Sequence, residues 1–316
     1  MSKETNKTKF DYLINNTRLS RILIREKGLC ALPEDNWKEF VFDFKVSQRK
    51  FSSALLYTDC PDISREDLDI TPFDIAVTDA IYTIWNYANS PTFTIGLIHK
   101  IMTGYLSKSL TQKKRTQIKN SIEKLEKINI IIDCTDYVQE MRSTNSNIFE
   151  GQFISVEKTN KVSYKLLEPM PLYRYMEAMG HMLKVPIDNI ERIGSATQSY
   201  DERVLLRREL CRTILILKNE KNNYKSTQIY YSPRSGKKGC LLLDIGLPES
   251  DFRNRETIKR IHEKTKAILE SLKREKGEKY SSEDILIHGF DELELGEKTI
   301  GVEIILQEPK TKKRQK

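Results

Sequence analysis

The sequence has no apolar run long enough to cross a membrane, and its opening residues, MSKETNKTKFDYLINN, contain no hydrophobic segment of the signal-peptide kind. A soluble, cytoplasmic protein is expected. The five cysteines, Cys30, Cys60, Cys134, Cys211 and Cys240, lie far apart and are odd in number. They lack the close spacing of a zinc site, so reduced thiols are expected rather than a disulfide framework. The four histidines, His99, His181, His262 and His288, are isolated. They make neither the H-x-H of a metal-dependent DNA-nicking centre nor the H-E-x-x-H of a zinc hydrolase. The stretch SGKKGC lacks P-loop spacing, and no G-x-S-x-G is present. No metal, no cofactor and no enzymatic activity is expected. The nearest enzymatic reading uses one of the 14 tyrosines as a nucleophile, and most of these fit the core.

What the chain has in excess is positive charge. Lys and Arg number 53 against 45 Asp and Glu, a formal net charge of +8, with a pI near 9.0. A basic surface concentrates a polyanion around the protein, so nucleic acid is the natural partner. The same balance also suits a basic protein that meets no polyanion. Hydrophobic residues make up 38% and charged residues 31% of the 316. That length predicts two domains with cores of their own.

Four segments are expected: an N-terminal extension over 1–65, domains over 66–168 and 169–308, and a basic, disordered tail over 309–316. In the extension, Phe40, Phe42 and Phe44 alternate with Val41, Asp43 and Lys45, the period of a strand. In TPFDIAVTDAIYTIWNYA, Thr71 is placed to cap a helix with Pro72 at its first position. Phe73, Val77, Ala80, Ile81, Ile84 and Trp85 predict one buried stripe along it. A short helix follows, with Thr94 as its cap and Gly104 as its stop.

Next comes SLTQKKRTQIKNSIEKLEKINIIID, where Ser109 and Gln112 have capping-box spacing and Ile118, Ile122 and Leu125 form the inner face. Two stretches of strand composition, INIIIDCTDYVQ and GQFISVEKTNKVSYKLL, flank a polar connector, EMRSTNSNIFE. Helix, short helix, basic helix, strand, loop and strand give the outline of a winged helix-turn-helix. The second half repeats the order loosely. MPLYRYMEAMGHML and YDERVLLRRELCRTILILKN read as helices, STQIYYS as a strand, and residues 254–275 as a basic helix capped by Asn254. A hairpin around ELGE closes it. The fold class expected is α+β, helix-rich, with tandem winged helix-turn-helix domains and small antiparallel wing hairpins.

On the basic helix of the first half, the face opposite the isoleucines carries cations suited to phosphates beside amides and a hydroxyl suited to base edges. The candidates are Gln112, Lys113, Arg115, Thr116, Lys119 and Asn120. Lys113, Lys114 and Arg115 sit in the first turn, where the helix dipole disfavours cations by a few tenths of a kcal/mol. A helix selected only for stability would carry acids there. In the second half the candidates are Arg253, Arg255, Lys259, Arg260 and Lys264, diluted by Glu256 and Glu263. Arg207 and Arg208 suit either a phosphate or an internal ion pair, and Arg234, Lys237 and Lys238 suit phosphates or plain solvation.

In the order of these segments, residues 66–308 resemble plasmid replication initiators of the Rep type, which are built from two winged-helix domains. The similar stretches are LTQKKRTQIKNSIEKLEKINIIID behind FDIAVTDAIYTIW, then LRRELCRTILILKN, TQIYYS and ILIHGFDELELGEKTIGVEIIL. The resemblance implies sequence-specific binding of double-stranded DNA at repeated origin sites, without catalysis. It also implies host replication proteins as partners, and a homodimer that many members exchange for an initiating monomer. Two other readings stay open: a transcriptional regulator on the same scaffold, and an interaction module whose basic helices are only solvated.

Overall fold

A computed structural model of the chain describes residues 11–15, 18–25, 29–31, 38–47, 50–58, 60, 69–87, 91–104, 110–134, 148–186, 200–219, 225–234, 240–274 and 285–307. The chain divides into two compact units, Met1–Glu191 and Arg192–Lys316, of mixed helix and strand. The division falls after 191 rather than after 168, and residues 171–186 hold the reason, since they are bound into the first unit. Helix α5 (Pro171–Ala178) packs on the first unit's main sheet, and strand β10 (Met182–Pro186) pairs antiparallel with β1 (Asp11–Asn15). The same pairing makes part of the expected extension integral to that unit.

The first unit holds a short helix, α1 (Arg18–Arg25), and is built around α2 (Pro72–Tyr87). Thr71 caps it: the Asp74 amide donates to Thr71 Oγ1 at 3.1 Å, and Asp74 Oδ2 accepts from the Thr71 amide at 2.9 Å. Every residue from Pro72 to Ile84 is buried, not one stripe alone. Helix α2 has β1 packed against it as well as α3 (Ile95–Thr103) and α4 (Gln112–Leu125), so its polar residues are enclosed too. They find partners inside. Thr83 Oγ1 donates to the Asp79 carbonyl at 2.7 Å, and the Asp79 carboxylate accepts from the Tyr173 hydroxyl, whose ring stacks on Tyr82 with centroids 4.1 Å apart. Thr94 caps α3 by accepting from the Leu97 amide, and Gly104 ends it in a left-handed conformation (φ 67°), as the sequence suggests.

The first unit's main sheet corrects the expected wing. Strands β2 (Leu29–Ala31), β3 (Lys38–Ser47), β4 (Lys50–Thr58), β6 (Asn129–Asp133) and β7 (Ile148–Gln152) form a five-stranded sheet in the order β2-β3-β4-β6-β7. The INIIID run is therefore an interior strand between β4 and β7, not one arm of a free hairpin. Ile130 and Ile132 are fully buried, which a solvated wing would not allow. The segment GQFISVEKTNKVSYKLL, expected as one strand, holds the end of β7 and two further strands, β8 (Val156–Lys158) and β9 (Ser163–Leu166). With β5 (Thr92–Thr94) these form a separate three-stranded sheet, β5-β9-β8.

The second unit contains α6 (Tyr200–Asn219), β11 (Ser226–Tyr230), a one-turn helix α7 (Leu241–Asp244) and a 3-10 turn (Glu249–Arg253). Helix α8 (Arg255–Ser271) and the hairpin β12 (Gly289–Leu295) and β13 (Lys298–Ile305) follow. Its sheet has the order β11-β13-β12. The last strand is central in both small sheets, and both follow helix, strand, helix, helix, strand, strand. In the first unit β6 and β7 are inserted between the third helix and the hairpin.

Candidate nucleic-acid interface

Helix α4 is anchored on one side and open on the other. Its cap is Thr111, whose hydroxyl accepts from the Lys114 amide at 3.4 Å, so the helix begins at Gln112 rather than from a box centred on Ser109. Ser109 lies outside the described residues. Ile118, Ile122 and Leu125 are fully buried. Such side chains stabilise by roughly 1.5–3 kcal/mol each. Asp74 at the start of α2 then fixes the helix in rotation. Its Oδ1 accepts from Ser121 Oγ at 2.6 Å, and its Oδ2 pairs with Lys124 Nζ at 2.8 Å. The Asp74 side chain is 5% exposed and sits at a helix N-terminus, where negative charge is favoured.

This anchoring turns Gln112, Lys113, Thr116 and Asn120 outward, all exposed, with Arg115 and Lys119 half-buried on the shoulders. Lys119 pairs with Glu123 one turn on at 3.0 Å, both side chains about 40% exposed. An ion pair that open to water contributes little and yields readily to a phosphate.

Beside α4 stands the β8–β9 hairpin, which sequence reasoning missed as a separate element. Asn160 shapes its turn, with Oδ1 accepting from the Val162 amide at 3.0 Å and the Ser163 amide at 2.9 Å. The Val162 carbonyl accepts from the Ile95 amide at 3.2 Å and ties the turn to the start of α3. Burial, and then the Glu123 carboxylate of α4, raise the Tyr164 phenol on β9. Lys158, Lys161 and Lys165 are exposed along the hairpin. The available signal was the turn chemistry of TNK between alternating residues.

Helix α8 is organised differently. Asn254 Oδ1 caps it, accepting from the Glu256 amide at 3.0 Å and the Thr257 amide at 3.2 Å. Ile261, Thr265, Ile268 and Leu272 are fully buried, whereas Ile258 is half-buried and faces a cleft. Arg253, Arg255 and Lys259 are exposed. The other two candidates are engaged inside the unit. Arg260 Nη2 pairs with Glu202 Oε1 of α6 at 2.9 Å, and Lys264, 7% exposed, pairs with the second oxygen of the same carboxylate. Burial in an ion pair removes Lys264 from any surface a partner can reach.

The cleft, about 580 Å³, lies between α8 and the β12–β13 hairpin and is lined by Arg253, Arg255, Lys259, His262, Glu263 and Lys298 among others. Its floor is a chain of hydrogen bonds across three elements. The Tyr231 hydroxyl meets His262 Nδ1 at 2.8 Å, His262 Nε2 meets Glu292 Oε2 at 3.2 Å, and Lys266 Nζ pairs with Glu292 Oε1 at 2.9 Å. The hydrogen bond from Lys266 is the main reason the Glu292 carboxyl titrates below its ordinary range. Lys298 and Thr299 on the hairpin were not singled out from the sequence, because nothing local to them points to a helix about 40 residues earlier.

Of the remaining basic residues, Arg208 forms a buried pair with Glu209 at 2.6 Å and Arg207 is buried, which favours the internal role for this dipeptide. Arg234 lies over the Tyr230 ring, 5.0 Å from its centre. Lys237, Lys238 and the tail from Lys310 to Lys316 fall outside the described residues. Burial pushes the Tyr173 and Tyr231 phenols well above their ordinary range, the opposite of an activated nucleophile. Among the described residues no helix is long and apolar enough to cross a membrane.

No family model and no curated protein matches the chain. Among solved structures, the crystal structure of RctB domains 2-3 (RctB-155-483) shares 12% identity, covers 91% of this chain and 96% of that chain, and gives a TM-score of 0.40. The structure of selenomethionine derivatives of domain 2 and domain 3 of RctB shares 12% identity over 89% and 94%, with a TM-score of 0.42. TM-scores of this size mark a loose likeness of chain path and assign no activity.

Proposed function

We propose that this chain is a sequence-specific double-stranded-DNA-binding protein of two winged-helix modules, acting in replication initiation at the origin of a plasmid or other mobile element. The modules span α2 to β9 and α6 to β13. Their recognition helices are α4 and α8, and their wings are the β8–β9 and β12–β13 hairpins. The repeated order of helices and strands, with the last strand central in each small sheet, supports the winged-helix reading.

One observation carries the DNA-binding reading. The outward face of α4 presents Gln112, Lys113, Thr116 and Asn120, and among the described residues no partner within the chain engages these side chains. Cations there neutralise phosphates, while the amides suit the N6 and N7 edge of adenine in the major groove. The sequence resemblance supplies the replication role.

Changing Lys113, Arg115 and Lys119 together to Ala is expected to weaken duplex binding by roughly 10- to 100-fold. It should also flatten the plot of log K against log salt by about 0.9 for each phosphate that is no longer neutralised. Anisotropy titrations on labelled duplex at several salt concentrations read both. Unchanged affinity would remove α4 from the interface, and absence of binding to random duplex at low salt would favour a solvated interaction module instead. A plasmid carrying only this gene and its flanking DNA, tested for autonomous replication, separates an initiator from a transcriptional regulator.

A further inference from the structure

The two outward helix faces differ in one chemical respect that bears on what each could read. On α4 the acid nearest the open face, Glu123, is paired with Lys119 at 3.0 Å. On α8, Arg255, Lys259 and Glu263 follow one another at four-residue steps and all line the cleft beneath the hairpin. At about 1.5 Å of rise per residue, three such positions span roughly 12 Å, the height of three to four stacked base pairs. Of the two further carboxylates that line the cleft, Glu292 gives one oxygen to Lys266 and the other to His262, and Glu297 sits at the turn of the hairpin rather than on the helix. Glu263 is exposed, and among the described residues no hydrogen bond or ion pair holds it.

A free carboxylate at this place has a definite consequence. Facing phosphates it would repel every duplex alike, because its charge has the sign of the backbone. It gains only where the partner offers a hydrogen-bond donor, and the donors in the major groove are the exocyclic amines, with cytosine N4 the usual partner of a carboxylate. Lys259 and Arg255, one and two turns earlier, suit guanine O6 and N7. Acid and cations on one stripe therefore complement a G·C-containing step, whereas the amide-bearing stripe of α4 complements adenine.

We propose that Glu263 is a specificity-determining residue of the second unit, accepting a hydrogen bond from the N4 amino group of a cytosine while Arg255 and Lys259 hold the neighbouring guanine edge or phosphate. The assignment rests on the DNA-binding reading above. It makes the chain a reader of two unlike half-elements, one rich in A·T under α4 and one containing C·G under α8.

The test uses the full chain, with duplexes selected from a random library by the parent protein, a panel of single-base changes in the selected site, and random duplex as reference. Glu263→Gln is expected to lose about tenfold or more on the selected site, to shift the preference at one position from cytosine toward adenine, and to gain a few-fold on random duplex because an anion has left the interface. Glu263→Ala should lose the preference at that position without acquiring a new one. If both variants bind selected and random duplex more tightly by the same factor, with base preference unchanged, Glu263 is only a solvated carboxylate and the inference fails while DNA binding stands. If the parent protein binds no duplex at low salt, the DNA-binding reading falls and takes this inference with it. Circular dichroism melting of both variants guards against misfolding, which an exposed position should not provoke.

Discussion

The basic helices of the two units, α4 and α8, look alike in sequence, each rich in lysine and arginine, yet they use their cations differently. Helix α4 commits one lysine, Lys124, to its anchor Asp74, and keeps its outward face open. Helix α8 commits Arg260 and Lys264 to Glu202 and Lys266 to Glu292, so only Arg253, Arg255 and Lys259 near its start are left to a partner. The count of cations on a helix is thus a poor measure of what it offers. What matters is which acids the fold brings to it, and Glu202 lies 58 and 62 residues away along the chain.

The sharpest way to break this comparison is to remove the two anchors. Asp74→Ala takes away the cap partner of α2, removes the acceptor of the Ser121 hydroxyl and leaves Lys124 with the Asp69 carbonyl but no carboxylate. Losing one partner of a largely buried pair costs about 3 kcal/mol, and the cap adds roughly 1 more. Glu202→Ala takes one charged partner each from Lys264 and Arg260, and Arg260 is already exposed, so about 2 kcal/mol is expected there. Both tryptophans, Trp37 and Trp85, belong to the first unit, so urea melts followed by tryptophan fluorescence report Asp74→Ala alone, while far-ultraviolet circular dichroism reports both. Equal losses would mean that the anchors are equivalent.

A second test addresses DNA directly. Replacing Arg253, Arg255 and Lys259 with Ala should reduce the salt slope of binding by about 2 to 3 and weaken binding by roughly tenfold or more. Replacing Arg260 and Lys264 should leave the slope unchanged, because both side chains are already held by the Glu202 carboxylate. The result to look for is the difference between the two variants in the same titration. A slope that falls equally in both would show the Glu202 pair opening on the DNA.

Much of this arrangement is legible in the sequence, and the places where it is not share a cause. Period locates α2, α3, α4, α6 and α8, and capping chemistry fixes the starts of α2, α3 and α8, because those signals are local. The spacing of Ile118, Ile122 and Leu125 marks the inner face of α4, and all three are fully buried. The place of NIIID is misjudged by sequence alone because a β-branched run signals a strand without naming its neighbours. Its partner β4 comes from residues 50–58, well before the helices, and that pairing makes it an interior strand. Lys264 looks available in the sequence for the same kind of reason. Helical spacing places it on α8, but only the fold brings Glu202 to it.

A smaller effect distinguishes the units by pH. Burial, and then the nearby Lys114 ammonium, hold the His99 imidazole down to about 4. The folded first unit therefore refuses a proton that the unfolded chain takes up near pH 6.5. Its stability should fall as pH drops from about 6.5 toward 4, then level off. Burial raises Glu126 and Glu177 above the ordinary carboxyl range, which works the other way, so the informative quantity is the difference between parent and His99→Gln. Tryptophan-monitored melts across that range should show a shallower fall for the variant, and parallel curves would mean that His99 plays no part.

The smallest expected difference lies in the caps. Thr111 reaches a single amide of α4 at 3.4 Å, a long bond in an exposed place, whereas Asn254 accepts from two amides of α8 at 3.0 and 3.2 Å. Cap removal costs about 0.5–2 kcal/mol, and geometry places Thr111→Ala at the low end and Asn254→Ala near the middle. The ranking has a physical reason beyond bond length. The first turn of α4 carries Lys113 and Lys114 and no acid, so its dipole is left uncompensated, while α8 has Glu256 in its first turn. A helix start of that kind holds its amides and cations toward solvent, where a phosphate can supply the missing negative charge. Saturating duplex DNA should therefore reduce the cost of Thr111→Ala more than that of Asn254→Ala, measured as the shift in melting temperature of each variant with and without DNA. The reverse order would place the better phosphate seat at the start of α8.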